Sequence, residues 1–201
     1  MRCTLLRRAM TAWCLAAASI LGGGQSPATA ATRTAVFGVG TDAFSLELVL
    51  INAPGNPLPA PPLAGAVNYT FWIGKHEVST AAVEAANRER DLGITIDARR
   101  LEQPATGVSW WEAARFANWL NASQGHPLAY KFDSQGKFEV WTAADPGYDP
   151  DNPFRNRRAR YFLPSSDEWH KAAYYDPQAQ HYWDYPTGSN EPPDGIDFPR
   201  D

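Results

Sequence analysis

Two short stretches of this chain each carry a complete helix start signal, and these signals constrain the fold more than any other feature. Ser109 with Glu112, and Ser165 with Glu168, both form the S-x-x-E pattern of a capping box. In such a box the serine oxygen accepts an otherwise unpaired backbone N–H of the first turn, and the glutamate accepts the N–H of the cap residue. The sequence therefore predicts two helices that begin directly after Ser109 and Ser165.

The residues after each cap indicate which helix face is buried. The first helix has apolar residues spaced at i, i+3, i+4 and i+7, namely Ala113, Phe116, Ala117 and Leu120. It is expected to stop at Gly125. For the second helix the predicted buried face consists of Trp169, Ala172 and Ala173, and the predicted break is at Asp176-Pro177.

Alternation of apolar and polar residues predicts the strands. Residues 44–51 are predicted to form one strand. A second is predicted from the alternating residues Val67, Tyr69, Phe71 and Ile73. This strand leads into a helix over residues 80–90, which is expected to be capped by Ser79 and to direct Val83 and Ala86 inward.

The remaining segments are predicted to be turns and loops. Residues 130–132 and 137–141 flank a turn with the sequence Asp-Ser-Gln-Gly and are predicted to pair as a hairpin. Residues 52–62 are rich in proline and glycine, and residues 142–160 are rich in proline, aspartate, asparagine and arginine, so both are predicted to be loops. The pattern as a whole predicts a loop-rich α+β protein with short strands.

The first thirty residues have the organisation of a signal peptide. Arg2, Arg7 and Arg8 are followed by an apolar run and then by an A-x-A cleavage site at residues 28–30. We therefore expect two parts, a signal peptide over 1–30 and a domain over 31–201, and a secreted or periplasmic location. The apolar run is too short for a permanent membrane span, so no membrane association is expected after cleavage.

Charge and cysteine content argue against several classes of function for the mature chain. Without the three N-terminal arginines, 15 basic residues face 22 acidic ones, which gives a net charge of −7 and argues against nucleic acid as a partner. The two cysteines, Cys3 and Cys14, both lie in the predicted signal peptide. A thiolate nucleophile, a disulfide or a thiolate–metal site is therefore not expected in residues 31–201.

Four blocks in order resemble the formylglycine-generating enzyme, or sulfatase-modifying factor, family. They are F-W-I-G-K-H-E-V-S at residues 71–79, V-S-W-W-E-A-A-R-F-A-N-W-L at 108–120, F-L-P-S-S-D-E-W-H-K-A-A at 162–173 and Y-P-T-G-S-N at 185–190. The family patterns are roughly F-x-I-G/D-K-x-E-V-T, V-S-W-x-D/E-A-x-x-F/Y-C/A-x-W-L, R/F-L-P-T/S-E-x-E-W-E-x-A-A and Y/F-P-W-G-N. The last block departs from its pattern, with threonine in place of tryptophan and an additional serine.

This resemblance implies an elaborated C-type-lectin-like fold and a place in the exported bacterial subgroup. It also implies what active members do, which is to oxidise a cysteine of sulfatases to formylglycine with copper and oxygen. In that family two cysteines hold the copper, and these, like the calcium ligands, belong to blocks that follow the Y-P-W-G-N position. We therefore expect residues 31–201 to be the N-terminal portion of such a domain, truncated at the C-terminus and without a copper or calcium cofactor of its own.

Several short patterns resemble catalytic motifs, but their contexts argue against that role. Residues 38–43 match G-x-G-x-x-A, yet a strand is predicted to follow where a dinucleotide site needs a helix N-terminus. Gly107-x-Ser109-x-Trp111 has tryptophan where a nucleophile elbow needs glycine, and the capping box already accounts for Ser109. Glu77, at a strand–helix junction, is assigned to the helix dipole. The sequence therefore identifies no catalytic or cofactor-binding residue.

The candidate metal ligands also lack the spacing that known metal sites have. The histidines have no recognised ligand spacing, and they are His76, His126, His170 and His181. A calcium loop stays open as an alternative for Asp145, Asp149, Asp151 and Asn152, although the EF-hand glycine and terminal glutamate are missing. The favoured interpretation is a solvated acidic loop whose charge is neutralised by Arg155, Arg157, Arg158 and Arg160. No metal ligand is assigned.

Two functions are compatible with this sequence. The first is an exported formylglycine-generating-enzyme-like domain that is inactive because the cysteine- and copper-bearing half is missing. The second is a secreted, non-catalytic, lectin-like module that binds a polypeptide or a glycan. Whether the protein is an enzyme is left open, and neither the ligand nor the oligomeric state follows from the sequence.

Overall fold

The computed structural model of the chain describes residues 31–57 and 65–193, together with the backbone of residues 16–18. The chain divides into two compact units, with residues 1–50 and 71–163 in unit 1 and residues 51–70 and 164–201 in unit 2. Helices and short antiparallel strands are both present, which confirms the predicted α+β class.

The described residues form three α-helices and nine short strands. The helices are α1 (Thr80–Arg90), α2 (Trp110–Ser123) and α3 (Ser166–Tyr174). The strands are β1 (Ala16–Ala18), β2 (Thr32–Phe37), β3 (Phe44–Ile51), β4 (Phe71–Gly74), β5 (Lys131–Phe132), β6 (Phe138–Glu139), β7 (Tyr161–Phe162), β8 (Tyr175–Asp176) and β9 (His181–Tyr182).

Five of these strands form the sheet of unit 1, in the order β2-β3-β4-β1-β7. β2 and β3 pair antiparallel over their whole length, from Thr32 opposite Val49 to Phe37 opposite Phe44. β1 pairs antiparallel with both β4 and β7. The prediction of β3 is confirmed, whereas β2 was not predicted from the sequence.

β4 differs from the predicted strand in both length and pattern. It begins at Phe71, so Val67 and Tyr69 lie outside it, in unit 2. Phe71, Trp72 and Ile73 are all buried. A strand covered on both faces has no polar side, and the alternation on which the prediction rested therefore does not describe β4.

The helices of unit 1 confirm their predictions closely. The Ser79 hydroxyl accepts the Ala82 N–H at 3.3 Å at the start of α1, and Val83 and Ala86 are buried. At the start of α2 both halves of the Ser109–Glu112 capping box are formed. The predicted stripe of α2 is buried in the core, which also contains Phe37, Trp119 and Tyr161.

The helix of unit 2 corrects a prediction. α3 begins with the predicted Ser165–Glu168 capping box and ends at Tyr174, just before the predicted break. Its fully buried side chains, however, are Glu168 and Lys171, while Trp169 is 45% exposed. The charged residues can be buried because each has hydrogen-bond partners inside the unit. The prediction of the buried face of α3, which rested on apolar character alone, was therefore wrong.

The predicted hairpin and loops are confirmed where the structure describes them. β5 and β6 pair antiparallel around a turn closed by Asp133 and Gly136. Residues 142–160 contain no helix or strand, although Asn156 and Ala159 within them are buried. Residues 52–57 form a loop, and the rest of the predicted proline-rich loop, 58–62, lies outside the described residues.

The predicted signal peptide lies almost entirely outside the described residues. Its exception is β1, which falls within residues 1–30 and occupies the position between β4 and β7. The assignment of a signal peptide to residues 1–30 stays a prediction. No helix in the described part of the chain has the length and apolar character needed to cross a membrane.

Candidate functional site

Unit 1 displays a group of aromatic side chains, three of them exposed and one, Phe138, half-buried against the core. We call this group the aromatic surface and define it as Trp110, Trp111, Phe138 and Phe154. Trp110, Trp111 and Phe154 are 43%, 51% and 56% exposed. The ring of Trp110 lies edge-on to those of Trp111 and Phe138, with centroids 4.9 and 5.1 Å apart. The rings of Phe138 and Phe154 are nearly parallel, with an interplanar angle of 10° and centroids 6.5 Å apart. The four rings therefore form one continuous apolar surface.

Local sequence explains why the two tryptophan rings are exposed. Trp110 and Trp111 occupy the first two positions of α2, directly after the Ser109 cap. Helical side chains lean toward the N-terminus, so residues of the first turn extend beyond the end of the helix rather than over a preceding turn. Phe138 lies on β6, and Phe154 follows in the 142–160 loop.

The aromatic surface rests on one buried and one partly buried aromatic side chain. Trp110 contacts the buried Tyr130 edge-on at 5.1 Å, and Phe138 contacts Phe132 at 5.9 Å. Tyr130 is itself held, because its hydroxyl accepts the Leu163 N–H at 2.8 Å. The exposed rings are thus held in place from below by the core.

A network of polar contacts fixes the loop that carries Phe154. The Asp145 carboxylate accepts hydrogen bonds from the backbone and hydroxyl of Thr142, both at 2.7 Å, and from the Lys131 ammonium at 3.1 Å. Those bonds, from Thr142 first and then from Lys131, lower the pKa of Asp145 below its usual value. The Trp141 N–H donates to the Pro153 carbonyl at 2.8 Å, next to Phe154. The surface is therefore largely preformed, which reduces the entropy lost on binding.

Unit 2 contains the most deeply buried charged groups of the described chain, on α3. The Lys171 ammonium donates to the carbonyls of Ala53 and Val67 at 2.8 and 3.2 Å. The Glu168 carboxylate accepts the Ser165 N–H at 2.7 Å and the Tyr69 hydroxyl at 2.6 Å. These bonds tie the two chain segments of unit 2 together.

Burial shifts the protonation of Lys171. It lowers the pKa of this amine from 10.5 to about 8. A lowered pKa is a property of nucleophilic lysines, but this side chain is 1% exposed and two carbonyls occupy two of its three N–H donors. The geometry therefore assigns Lys171 to the stability of unit 2.

Three further side chains of unit 2 surround Gly65. The Tyr182 hydroxyl donates to the Gly65 carbonyl at 2.6 Å and accepts from the Asn56 amide, and Asp167 accepts the Gly65 N–H at 2.7 Å. Burial, the largest cause, raises the pKa of Tyr182 to about 12. A Cβ atom at residue 65 would lie 2.6 Å from the Tyr182 hydroxyl, and the backbone there has a φ of 137°, so only glycine fits. These hydrogen bonds hold the backbone at Gly65 in place.

The residues compared with catalytic motifs have structural roles. Ser109 is the α2 cap, and Glu112 Oε2 accepts both its N–H and its hydroxyl, at 2.8 and 2.6 Å. Although burial acts to raise the pKa of Glu112, hydrogen bonds from Ser109 and Thr95 lower it overall. After Gly38 the chain makes one 3-10 turn and then enters β3. The strand predicted to follow the G-x-G-x-x-A pattern is therefore present. A strand, β2, also precedes the motif, but no helix N-terminus follows it.

The candidate metal ligands are not brought together. Within the described ranges, no group of three His, Cys, Asp or Glu side chains has the proximity that a metal ion requires. Asp149 accepts the Asp151 N–H at 3.0 Å in a turn, and Asp145 pairs with Lys131 rather than with one of the four arginines. Arg155 instead lies over the Phe162 ring at 3.9 Å. The predicted neutralisation by arginines is therefore not the arrangement found at Asp145.

The aromatic surface was not identified from the sequence. The signal that indicates it is the pair Trp110–Trp111 at the first two positions of a capped helix, where no earlier turn can cover them. Phe138 and Phe154 are distant from that pair in sequence, and only the fold brings the four rings together.

Comparison with known proteins identifies the family of the chain. The family model described as "Sulfatase-modifying factor enzyme 1-like domain" matches residues 49–195. The searches of curated proteins and of solved structures returned no match. The family implies a C-type-lectin-like fold, with which the mixed helices and small antiparallel sheets of the chain are compatible. Because the family model spans well over half of the residues, the chain belongs to the sulfatase-modifying factor family.

Proposed function

We propose that this chain is an exported sulfatase-modifying-factor-like domain that binds a polypeptide segment through the aromatic surface and does not itself oxidise cysteine. The observation that carries the proposal is the exposure of Trp110, Trp111 and Phe154 on a preformed base. Monomeric proteins seldom leave a continuous apolar group of this kind uncovered, and tryptophan is enriched among the residues that dominate binding energies.

A polypeptide is favoured over other ligands by two considerations. Active members of the family act on a segment of a sulfatase polypeptide, so the scaffold is suited to that class of ligand. Aromatic rings of different orientation, as between Trp110 and Trp111 at 88°, suit side chains of varied shape. Sugars also stack on exposed aromatic rings, and a glycan is therefore the alternative that the experiment has to separate.

The absence of oxidase activity is inferred from the residues available. The cysteines of the chain are Cys3 and Cys14, both within the predicted signal peptide. Copper in the family is held by two cysteines, and residues 31–201 supply no thiolate for it. The proposed domain therefore binds without carrying out the family's reaction.

The test is binding and turnover of one peptide by the same protein. A fluorescent cysteine-containing peptide from a sulfatase is titrated in an anisotropy assay and then incubated with copper and oxygen. We expect saturable binding without the mass change that accompanies formylglycine formation. Substituting Trp111→Ala and Phe154→Ala together should weaken binding at least tenfold, since each removed anchor is worth about 1–2 kcal/mol.

Leu101→Ala provides the matched control, because Leu101 is an exposed apolar side chain outside the aromatic surface. This variant should bind like the wild type. Turnover of the peptide would refute the proposed inactivity. Binding to oligosaccharides but not to peptides, with the same dependence on Trp111 and Phe154, would replace the polypeptide by a glycan.

Export is part of the same proposal and rests on the N-terminal sequence. Arginines at positions 2, 7 and 8, an apolar run and the A-x-A site at residues 28–30 support it. We expect the protein recovered outside the cytoplasm to begin at Ala31, as read by mass spectrometry of its N-terminal peptide. Retention of residues 1–30 in the exported protein would refute cleavage at this site.

A further inference from the structure

A groove of about 320 Å³ lies in unit 1 and is lined by residues of α1, of α2 and of the segments that follow them, none of which belongs to the aromatic surface. Its apolar walls include Leu92, Ala122 and Leu128. Its volume is at the lower end of the range of about 300–1,000 Å³ that is typical of small-molecule sites. The groove is thus suited to a compact ligand with an apolar body.

The polar groups of the groove fall into two sets, and the first is already satisfied. The Asn118 amide donates to the Tyr130 carbonyl and accepts the N–H groups of Ala129 and Tyr130. The Ser123 hydroxyl donates to the Leu120 carbonyl at 3.0 Å. Neither side chain calls for a further partner.

The second set consists of hydrogen-bond donors without an acceptor. The indole Nε1 of Trp119 and the Nε of Arg115 are both buried and have no partner within the described residues. Trp119 is only 4% exposed, and its ring packs against Phe44 and Phe116. The Arg115 guanidinium makes a long contact, from Nη2 to the Gly93 carbonyl at 3.5 Å.

These two donors lie close enough on α2 to share one acceptor. Arg115 and Trp119 are four residues apart in α2, so they lie on the same face of the helix. Tryptophan and arginine side chains can donate hydrogen bonds but cannot accept them, so the partner that both lack is an acceptor. A carboxylate is the acceptor that arginine binds best, since it offers two oxygens and the opposite charge. Unsatisfied buried donors cost free energy, which a ligand acceptor would recover.

We infer that this groove is a binding site for a small carboxylic acid with an apolar body, whose carboxylate is held by Arg115 and Trp119. Arg90, at the end of α1, adds a second positive charge at the groove. Glu89 also lines it and opposes an anion; its carboxylate is 4.0 Å from the Arg90 Nε. Among the lining side chains the two arginines outnumber the one glutamate, and Glu112, three residues before Arg115 on α2, offsets part of the Arg115 charge. The site therefore suits one carboxylate better than a polyanion.

The test uses phenylacetate as the probe and phenylacetamide, its neutral analogue, as the control ligand. In ¹⁵N-labelled full-length protein each indole N–H gives a separate resonance, and Trp119→Phe identifies that of Trp119. We expect phenylacetate to shift this resonance in a saturable manner and phenylacetamide to leave it in place.

Three variants separate the site from general effects of charge. Arg115→Gln should weaken phenylacetate binding at least tenfold, whereas Arg157→Gln, which removes an exposed arginine of the same unit, should not change it. Glu89→Gln should strengthen binding severalfold, because it removes the opposing charge. The indole spectra of all variants establish that each is folded.

The inference is overturned if the Trp119 resonance does not move at saturating phenylacetate, if phenylacetamide binds equally well, or if Arg157→Gln weakens binding as much as Arg115→Gln. These outcomes do not depend on the aromatic surface, which Trp111 and Phe154 probe separately.

Discussion

Replacing Lys171 by methionine should change how the stability of the protein depends on pH. The side chain is buried on α3, where its ammonium donates to the carbonyls of Ala53 and Val67. Burial lowers its pKa from 10.5 to about 8 in the folded protein. Methionine has a similar length and shape but does not titrate, so Lys171→Met removes this protonation equilibrium while the buried volume is kept.

The sign follows from comparing proton binding in the two states. The unfolded chain keeps the Lys171 proton up to about pH 10.5, whereas the folded protein releases it near pH 8. Between these values the unfolded state binds more protons, so the free energy of unfolding rises with pH. With these two pKa values, linkage gives a rise of about 2 kcal/mol between pH 7.5 and 9.5. Tyr182, whose pKa is raised to about 12, acts in the opposite direction but only above about pH 10.

The assay is urea unfolding at pH 7.5, 8.5 and 9.5, followed by circular dichroism. For an m-value of about 2 kcal/mol/M, the wild-type midpoint should rise by about 1 M relative to that of Lys171→Met. The variant also loses the hydrogen bonds to Ala53 and Val67, which lowers its free energy of unfolding by the same amount at each pH. The comparison is therefore made between the pH slopes of the urea midpoint rather than between the midpoints themselves. Lys137→Met removes an exposed lysine from the hairpin turn and should keep the wild-type slope.

Two results would refute this reasoning. One is a Lys171→Met variant that keeps the wild-type pH slope, since the amine would then be solvated in the folded protein. The other is an equal flattening by Lys137→Met, since the effect would then arise from net charge rather than from burial.

Further predictions concern unit 1. Ser109→Ala should lower the free energy of unfolding by about 1 kcal/mol, because α2 loses its cap, whereas Ser109→Thr should lose little; thermal unfolding measures both. Leu120→Ala should cost about 2–5 kcal/mol in the fully buried core, against less than about 0.5 for the exposed Leu101→Ala, by urea titration. Removing residues 1–30 takes away β1, so the amides of β4 and β7 should exchange faster than in the full-length protein, and unchanged protection would show that β1 does not pair with them.

The helices could be predicted from the sequence because their signals are local. A capping box needs two residues three positions apart, and both boxes are formed as predicted. The stripe of α2 is buried because every member is apolar and has the helical spacing. No knowledge of distant residues enters either inference.

The elements that the sequence did not predict depend on partners far along the chain. The burial of Lys171 is possible because carbonyls more than a hundred residues earlier accept its hydrogen bonds. The buried face of α3 therefore could not be inferred from α3 alone. The β8–β9 pair likewise consists of two-residue strands, which are too short to show a periodic pattern.

The segment that starts α2 explains why family membership is easier to establish than function. Ser109 and Glu112 begin the helix, and the apolar stripe after them anchors it in the core. Both features serve the scaffold, and any domain with this fold needs them whatever it binds. Trp110 and Trp111 stand between the two capping residues and contribute to an exposed surface. The same few residues thus carry the evidence for the family and, separately, the side chains on which binding depends. Variants of the exposed tryptophans, which leave the capping box and the stripe intact, are therefore the ones that can test function without disturbing the fold.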